Sequence, residues 1–412
     1  MKIALKMTGC RNNRYELDRI CSWAIQNKVA VVAEEEADFC IINTCTVTHA
    51  ADRKSRQMVR RTKNNNQPLK TIVFGCAARM RKEVFEQIGE VDVLLPDMEA
   101  VIAFLEQELV NECDAPSHKS SKSHKLRSRA LTQIQDGCDN FCTFCITVQS
   151  RGHSKNRPVN EIVEEIQAHE RNGYNEVVLT GINIGAYGAI KTTDYENSAL
   201  AQLLEMILEK TTITRIRLSS MGPQYFNERL YEILKNPRIC RYIHLSIQSG
   251  STSVLERMRR QYTADDVEIV IKRFKKEIPG IAITADVIVG FPGETEEEFA
   301  ETMHFMECNP LAKMHVFPYS AREGTVAATM KQVSDDEKKK RAKKLQALAD
   351  KQQCDFIQSQ IGKTASTLWR KKIRPEFYEG LTDNYIRVCK KGDATLIRSI
   401  SEEVLDETML IF

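Results

Sequence analysis

The 412-residue sequence lacks several things, and each lack closes off a class of function. No stretch of consecutive apolar residues approaches the roughly 20 that a bilayer-spanning helix needs, so no membrane role is expected. No apolar segment follows a basic start, so an export signal is not expected either, nor the oxidising compartment in which disulfides persist. There is no strong net charge: 59 Lys and Arg stand against 56 Asp and Glu, and any affinity for nucleic acid must come from local patches. No repeat of solenoid length is present. What remains, at 42% hydrophobic and 28% charged, reads as a soluble, cytoplasmic globular chain of two or three domains. In a reducing cytoplasm its thirteen cysteines are metal ligands or small core residues.

Residues 135–145 read QDGCDNFCTFC, with Cys138, Cys142 and Cys145 in a C-x3-C-x2-C array. Three thiolates this close can converge on one metal centre, and thiolates are the soft ligands of iron–sulfur clusters. A zinc site usually arrives as two C-x2-C pairs or with paired histidines, whereas here the first spacing is three and no second pair lies downstream. A four-iron cluster normally takes four cysteines, so three leave one iron open for a ligand. Phe144 places an aromatic ring beside that position. In spacing and in the aromatic, the segment resembles the signature of radical S-adenosylmethionine enzymes.

The first hundred residues alternate apolar strands with helical patterns, which predicts an open parallel α/β sheet. Strands are expected at Lys2–Thr8, Asp38–Thr44, Thr71–Gly75 and Val91–Leu95, with helices from about Asn12 to Asn27 and His49 to Arg61. Cys10, Cys45 and Cys76 each fall just after a strand and just before a helix. In an open parallel sheet the strand C-terminal ends share one edge, where ligands bind. Three strand-end cysteines, 35 and 31 residues apart, are therefore expected to meet there. Cys21, Cys40 and Cys113 lie inside helical or strand patterns and read as inert core.

A serine-rich basic linker, residues 113–129, separates this region from a second run of strands near 131–134, 176–180, 215–219, 242–247, 282–289 and 314–318. Six strands with intervening helices predict a partial (β/α)6 barrel rather than a closed eight-stranded one. The turn in VVLTGINIGAYG, residues 177–188, has G-x3-G-x2-G spacing, which excludes a dinucleotide fingerprint. VSDDEKKKRAKKLQALADKQQ, residues 333–353, reads as a long helix with Ser334 and Glu337 in a capping box; its basic run reads as a solvated face. After residue 355 short β-like runs at 364–369, 377–381, 385–388 and 395–400 predict a small barrel of the oligonucleotide-binding type. Basic residues there cluster around Trp369, Phe377, Tyr378 and Tyr385, a combination that single-stranded RNA favours.

Together the two cysteine trios resemble the methylthiotransferase family of radical S-adenosylmethionine enzymes, over essentially the whole chain. The resemblance implies an N-terminal methylthiotransferase domain over 1–112, whose Cys10, Cys45 and Cys76 hold an auxiliary 4Fe-4S cluster. It implies a radical S-adenosylmethionine domain over 130–354, where Cys138, Cys142 and Cys145 hold the cluster that cleaves S-adenosyl-L-methionine. The C-terminal segment, 355–412, resembles the TRAM domain of RNA-modifying enzymes, with EGLTDNYIRV at its centre. Implied cofactor contacts are Phe144, Gly181, Asn183, Ser219, Gln248 and Asp286; for the strand-end residues the alternative is turn chemistry or strand-end capping. INTCTVTHAADRKSRQMVRR, residues 42–61, resembles the subfamily acting on N6-threonylcarbamoyladenosine at position 37 of tRNA. Its Arg53, Lys54, Arg56, Arg60 and Arg61, with Lys63, form a basic helix opposed only by Asp52. The implied partners are a tRNA anticodon stem–loop and a reductase or flavodoxin-type electron donor. The alternatives within the class are isopentenyladenosine in tRNA and an aspartate of a ribosomal protein; outside it, a non-catalytic iron–sulfur redox sensor or RNA-binding protein. One departure stands out: Val148 and Gln149 replace the family's usual proline and aromatic, while Arg151 and Gly152 remain.

Overall fold

The computed structural model describes residues 1–62, 68–111, 127–189 and 198–411. Most of the basic linker, Cys113 and Lys63 lie outside the described residues. The chain divides into two compact units. The smaller comprises Met1–Leu126 with Cys145–Gly152 and Ser320–Arg322; the larger comprises Arg127–Phe144, His153–Tyr319 and Glu323–Phe412.

In the smaller unit, strands β1 (Lys2–Met7), β2 (Ala30–Val31), β3 (Phe39–Thr44), β4 (Lys70–Gly75) and β5 (Val93–Leu94) form a parallel sheet in the order β2-β1-β3-β4-β5. β3, FCIINT, is buried at every position, as a central strand covered on both faces must be. Alternate side chains feed two cores. Ile3, Phe39, Ile41 and Phe74 pack with the helices Arg11–Gln26 and Met98–Asn111, while Ala4, Cys40, Ile42 and Val73 pack with Val59 and Phe85. β2 was missed in the sequence because two residues carry no periodicity, and β5 is shorter than expected for the same reason. Helices follow β1, β3 and β4 at Arg11, His49 and Cys76, which sets the three cysteines after strand ends.

The larger unit contains β6 (Ala130–Gln133), a two-residue ribbon of β7 (Gln135–Asp136) and β8 (Lys155–Asn156), then β9 (Glu176–Thr180), β10 (Arg215–Leu218), β11 (Tyr242–Gln248), β12 (Ala282–Val289) and β13 (Lys313–Pro318). β10-β9-β6 and β11-β12-β13 are parallel three-stranded sheets, and bridges Ile216↔Ile239 and Met221↔Leu245 join them into a six-stranded partial barrel. Val177, Leu179, Ile216, Leu218, Ile243, Leu245, Val287 and Met314 point outward into one core with the covering helices. The alternate positions, Glu176, Arg217, His244, Thr284 and Asp286 among them, therefore face inward.

The helix Asp335–Gln358 starts at Ser334, whose hydroxyl accepts from the Glu337 backbone N–H. It leads to β14 (Thr364–Arg374), β15 (Phe377–Thr382), β16 (Arg387–Lys391) and β17 (Ile400–Val404), an antiparallel sheet in the order β16-β15-β14-β17. Two expected strands are displaced. Tyr385 has a left-handed φ of 71° and belongs to a turn, so β16 begins at Arg387. Residues 394–396 form a 3-10 turn capped by Asp393, so β17 begins at Ile400. The Thr382–Tyr385 turn packs on the floor of the barrel, with Tyr385 stacked on Tyr242 at 4.4 Å between ring centroids.

Candidate active site

In the smaller unit the strand-end cysteines share one edge, close enough that Cys10 and Cys76 each act electrostatically on Cys45. Gly9, at φ 107°, makes the approach possible: a Cβ there would lie 2.6 Å from the Cys45 Cβ and 3.0 Å from its sulfur. The Cys45 N–H donates to Thr8 Oγ1 and Ser55 Oγ, each at 3.1 Å, and those hydroxyls lie 2.6 Å apart. Burial pushes the Cys45 thiol up to about 11 and raises that of Cys76. Burial thus disfavours the bare thiolates, the form in which cysteine binds a metal. Three thiols at one edge, with room left by a glycine, fit the soft donor set of an iron–sulfur cluster.

Arg151 belongs to this edge although it follows the other trio in sequence. Its guanidinium, 5% exposed, donates to Glu16 Oε1 at 2.9 Å and Asn13 Oδ1 at 2.8 Å, and its charge favours the thiolates of Cys45 and Cys76. Val148 and Gln149 lie in the same one-turn helix, Thr147–Arg151. On the helix His49–Thr62, Arg53, Lys54, Arg60 and Arg61 are exposed, whereas Arg56 is tied to buried Asp52 at 3.5 Å.

In the larger unit the cysteine loop is fastened from several sides. Thr143 donates its N–H to the Met258 carbonyl at 3.1 Å and its hydroxyl to the Arg257 carbonyl at 2.9 Å. Phe144 meets Phe291 edge to face at 6.4 Å. Arg260 donates to the sulfur of Cys142 at 3.1 Å, to Tyr262 Oη at 2.7 Å and to the Ser246 carbonyl at 3.0 Å. Burial works against its charge, but Tyr262 and Cys142 outweigh it. A fixed cation on the sulfur suits a thiolate ligand. Cys138 and Cys142 belong to this unit and Cys145, seven positions beyond Cys138, to the smaller one.

Gln135 ties the loop to the glycine turn. Its Oε1 accepts from the N–H groups of Ile182 and Asn183, and its Nε2 donates to the Gly137 carbonyl. A Cβ at Gly181 would lie 2.8 Å from the Gln135 carbonyl, so only glycine fits. The Asn183 amide donates to Tyr225 Oη at 2.7 Å, and that hydroxyl reaches Asn140 Oδ1 in the cysteine loop at 3.4 Å. Gly181, Asn183 and the loop are thus brought together. Ser219 is buried just past the end of β10, and among the described residues its hydroxyl has no hydrogen-bond partner. Gln248 lies past a bulge at the end of β11 with φ 71°. Asp286 stands apart: it is paired with His244 at 3.2 Å on the inner face.

Sequence reasoning missed Gln135, Tyr225, Arg260, His244 and His315, none of which carries a motif of its own. It also overvalued the C-terminal aromatics. Trp369 and Tyr378 are buried in the sheet's core, and Tyr385 stacks in the barrel floor, which leaves Phe377 as the accessible ring. Arg374 and Lys391 flank Phe377 at 3.9 and 5.9 Å from its centroid.

Residues 132–306 match the model of the radical SAM superfamily, and residues 2–96 match the uncharacterized protein family UPF0004. The chain is 35% identical to the threonylcarbamoyladenosine tRNA methylthiotransferase of Bacillus subtilis (strain 168), over 97% of this chain and 92% of that protein. It is 34% identical to the tRNA-2-methylthio-N(6)-dimethylallyladenosine synthase of Wolbachia pipientis wMel, over 89% and 88% respectively. In fold it is similar to the radical S-adenosylmethionine methyltransferase TsrM of Kitasatospora setae, with a TM-score of 0.60 and 14% identity over 79% of this chain and 77% of that one. With relatives of this identity along nearly its whole length, the chain belongs to the radical S-adenosylmethionine family of tRNA methylthiotransferases.

Proposed function

We propose that the protein is a tRNA methylthiotransferase that converts N6-threonylcarbamoyladenosine at position 37 to its 2-methylthio derivative. The observation that carries this reading is the pair of separate three-cysteine sets in a chain similar to the Bacillus enzyme over 97% of its length. The hydrogen to be replaced sits on an unactivated sp2 carbon, which acid–base chemistry does not remove readily at neutral pH, so the hard chemistry falls to cofactors. When bound, a 4Fe-4S cluster on Cys138, Cys142 and Cys145 supplies the electron that cleaves S-adenosylmethionine to a radical, and one on Cys10, Cys45 and Cys76 supplies the site of sulfur.

The chain's own residues hold and orient. Arg260 fixes Cys142, while Gln135 shapes the turn at Gly181 and Asn183 that receives the methionyl end of the cosubstrate. Phe144, Ser219 and Gln248 are the remaining contacts proposed for it. Arg151 offsets negative charge at Cys45 and Cys76. Arg53, Lys54, Arg60 and Arg61, with Lys372, Arg374 and Lys391, supply phosphate contacts to an anticodon stem–loop. A reductase or flavodoxin-type protein serves as the electron donor, and the location is cytoplasmic.

The test offers the anaerobically reconstituted protein three substrates: tRNA bearing threonylcarbamoyladenosine, tRNA bearing isopentenyladenosine, and the ribosomal protein. Methylthiolation of the first is expected, and product confined to either of the others refutes the substrate assignment. About eight irons per chain are expected, at four per cluster. Replacing either cysteine trio by Ala should leave about half.

A further inference from the structure

The inner face of β12 and β13 carries polar and aromatic side chains that neither cysteine site uses. His244 Nε2 lies 3.2 Å from Asp286 Oδ2, and His244 Nδ1 lies 2.7 Å from Thr284 Oγ1, which reaches Tyr242 Oη at 3.1 Å. His315 completes the group: one donor atom from each of His244, Asp286 and His315 lies within 4.8 Å of the other two. Register places Asp286 beside His315, Ile288 beside Phe317 and Thr284 beside Lys313. Met314 and Val316 pack outward into the core, so Lys313, His315 and Phe317 line up on the opposite face. His315 is exposed, and Phe317, a large apolar ring, is 42% exposed on this face. Among the described residues Lys313 makes no ion pair.

We infer that this face receives the target nucleoside, with Lys313 as the residue that recognises its carboxylate; the inference rests on the threonylcarbamoyladenosine reading above. Enzymes that act on a base take it out of the stack and read it by aromatic contact and by hydrogen bonds to its edge. Phe317 and His315 offer the ring surface. Asp286, held by His244, offers an acceptor for the N6–H. The threonyl carboxylate lies four bonds from N6, roughly 5 Å away when extended at backbone-like bond lengths. Lys313 is two residues from His315 on the same face, a step of about 6.6 Å along a strand. A base lying over His315 and Phe317 therefore carries its carboxylate toward the Lys313 ammonium. The isopentenyl group, neutral and apolar, has no use for that cation. The face is also one layer from the cluster loop: Ser246, two residues beyond His244 on β11, accepts from the same Arg260 that holds Cys142.

The test uses reconstituted full-length protein and two anticodon stem–loops, one bearing threonylcarbamoyladenosine and one bearing its neutral carboxamide. Wild type should prefer the acid by roughly tenfold or more in KM, as a charge-assisted hydrogen bond predicts. Lys313→Met should raise KM for the acid roughly 10- to 100-fold with little change in kcat, leave KM for the carboxamide within twofold, and be rescued by Lys313→Arg. Equal use of acid and carboxamide by wild type overturns the inference without any variant. So does an unchanged KM in Lys313→Met of normal iron content, which would make Lys313 only a charge that keeps an edge strand soluble. Stoichiometric binding of added Zn2+, lost in His315→Ala, would make the triad a metal site and overturn the inference as well. If wild type ignores the acid stem–loop but methylthiolates the isopentenyl one, the substrate reading itself has failed, and the two failures are told apart.

Discussion

Replacing Glu176 by Gln should destabilise the larger unit more than any exposed charge change. Glu176 lies at the start of β9 with no exposure, and three arginines converge on it. Arg215 Nη2 is at 2.7 Å, Arg217 Nε at 3.0 Å and Arg129 Nη1 at 3.6 Å. Burial alone would push its carboxyl up, but Arg217, Arg215 and Arg129 outweigh it and hold the group at about 2, against an ordinary 4.5. That displacement corresponds to about 3 kcal/mol of folding stability. It agrees with the 3–5 kcal/mol typical of breaking a buried pair and leaving the partner charge stranded. Glu176→Gln keeps the shape and removes the charge. It should therefore cost about 3–5 kcal/mol, or roughly 5–8 °C in a unit of this size.

The pH dependence gives a second, independent reading. A carboxylate whose folded pKa is depressed contributes stability that is fully present above its unfolded value and lost as pH falls through the folded one. The gap between wild type and Glu176→Gln should thus be constant from pH 7 down to about 4.5 and close between there and about 2. Denaturant unfolding followed by near-ultraviolet circular dichroism, at several pH values, measures it. A loss below about 1 kcal/mol at pH 7, where exposed pairs fall, or a gap that stays constant to pH 2, refutes the reasoning.

Two further outcomes follow from the cysteine sites. Arg260→Met removes the donor on Cys142 and should make the reduction potential of the cluster there more negative by about 60 mV, a tenfold change for one electron, in a redox titration followed by electron paramagnetic resonance; an unchanged potential would leave Arg260 with a packing role only. Gly9→Ala should lose about four of eight irons, because its Cβ falls 2.6 Å from that of Cys45 at φ 107°, whereas Gly152→Ala, at φ 75° with open space around it, should keep them all and cost about 1–2 kcal/mol.

The strands that could be read from sequence are those whose burial dictates composition. β3 as FCIINT, β9 as EVVLT and β12 as AITADVIV are apolar runs bounded by turns, and each was located to within a residue. The cysteines were legible because thiolate spacing is itself the chemistry. Arg260, Gln135 and Tyr225 were not, since each acts through a partner more than 40 residues away that only the closed barrel brings near. Trp369 misled for a related reason. Composition placed it among basic residues and implied an RNA-facing ring, yet its indole is buried, with Nε1 donating to Ser401, and Lys390 lies 4.5 Å from its centroid. Cation beside aromatic reads the same in sequence whether the ring faces RNA or its own core.

The inner face of the barrel then explains why the C-terminal sheet belongs to the same unit. A closed barrel fills its interior with branched apolar side chains. This one places Glu176, Arg215 and Arg217 at its floor, groups that are costly to bury unless ion pairs and hydrogen bonds offset the lost water. The C-terminal sheet meets them with backbone. Arg217 donates to the Asp383 and Thr382 carbonyls, each at 3.1 Å, and Arg215 to the Ser366 carbonyl at 3.0 Å. Arg241 forks onto the Asp383 carboxylate at 2.6 and 3.1 Å, and Asn384 donates to the Gly280 carbonyl. Tyr385, in its left-handed turn, closes the stack on Tyr242. Removing the sheet would expose or strand three arginines, so it is no detachable appendage. One layer up His244 is still buried, Asp286 is half-buried and His315 is exposed, so the interior passes from a sealed ionic floor to a more open polar wall. Polar groups are costly to bury and useful to leave accessible, and in this barrel the boundary between the two falls between His244, which is buried, and Asp286 and His315, which are not.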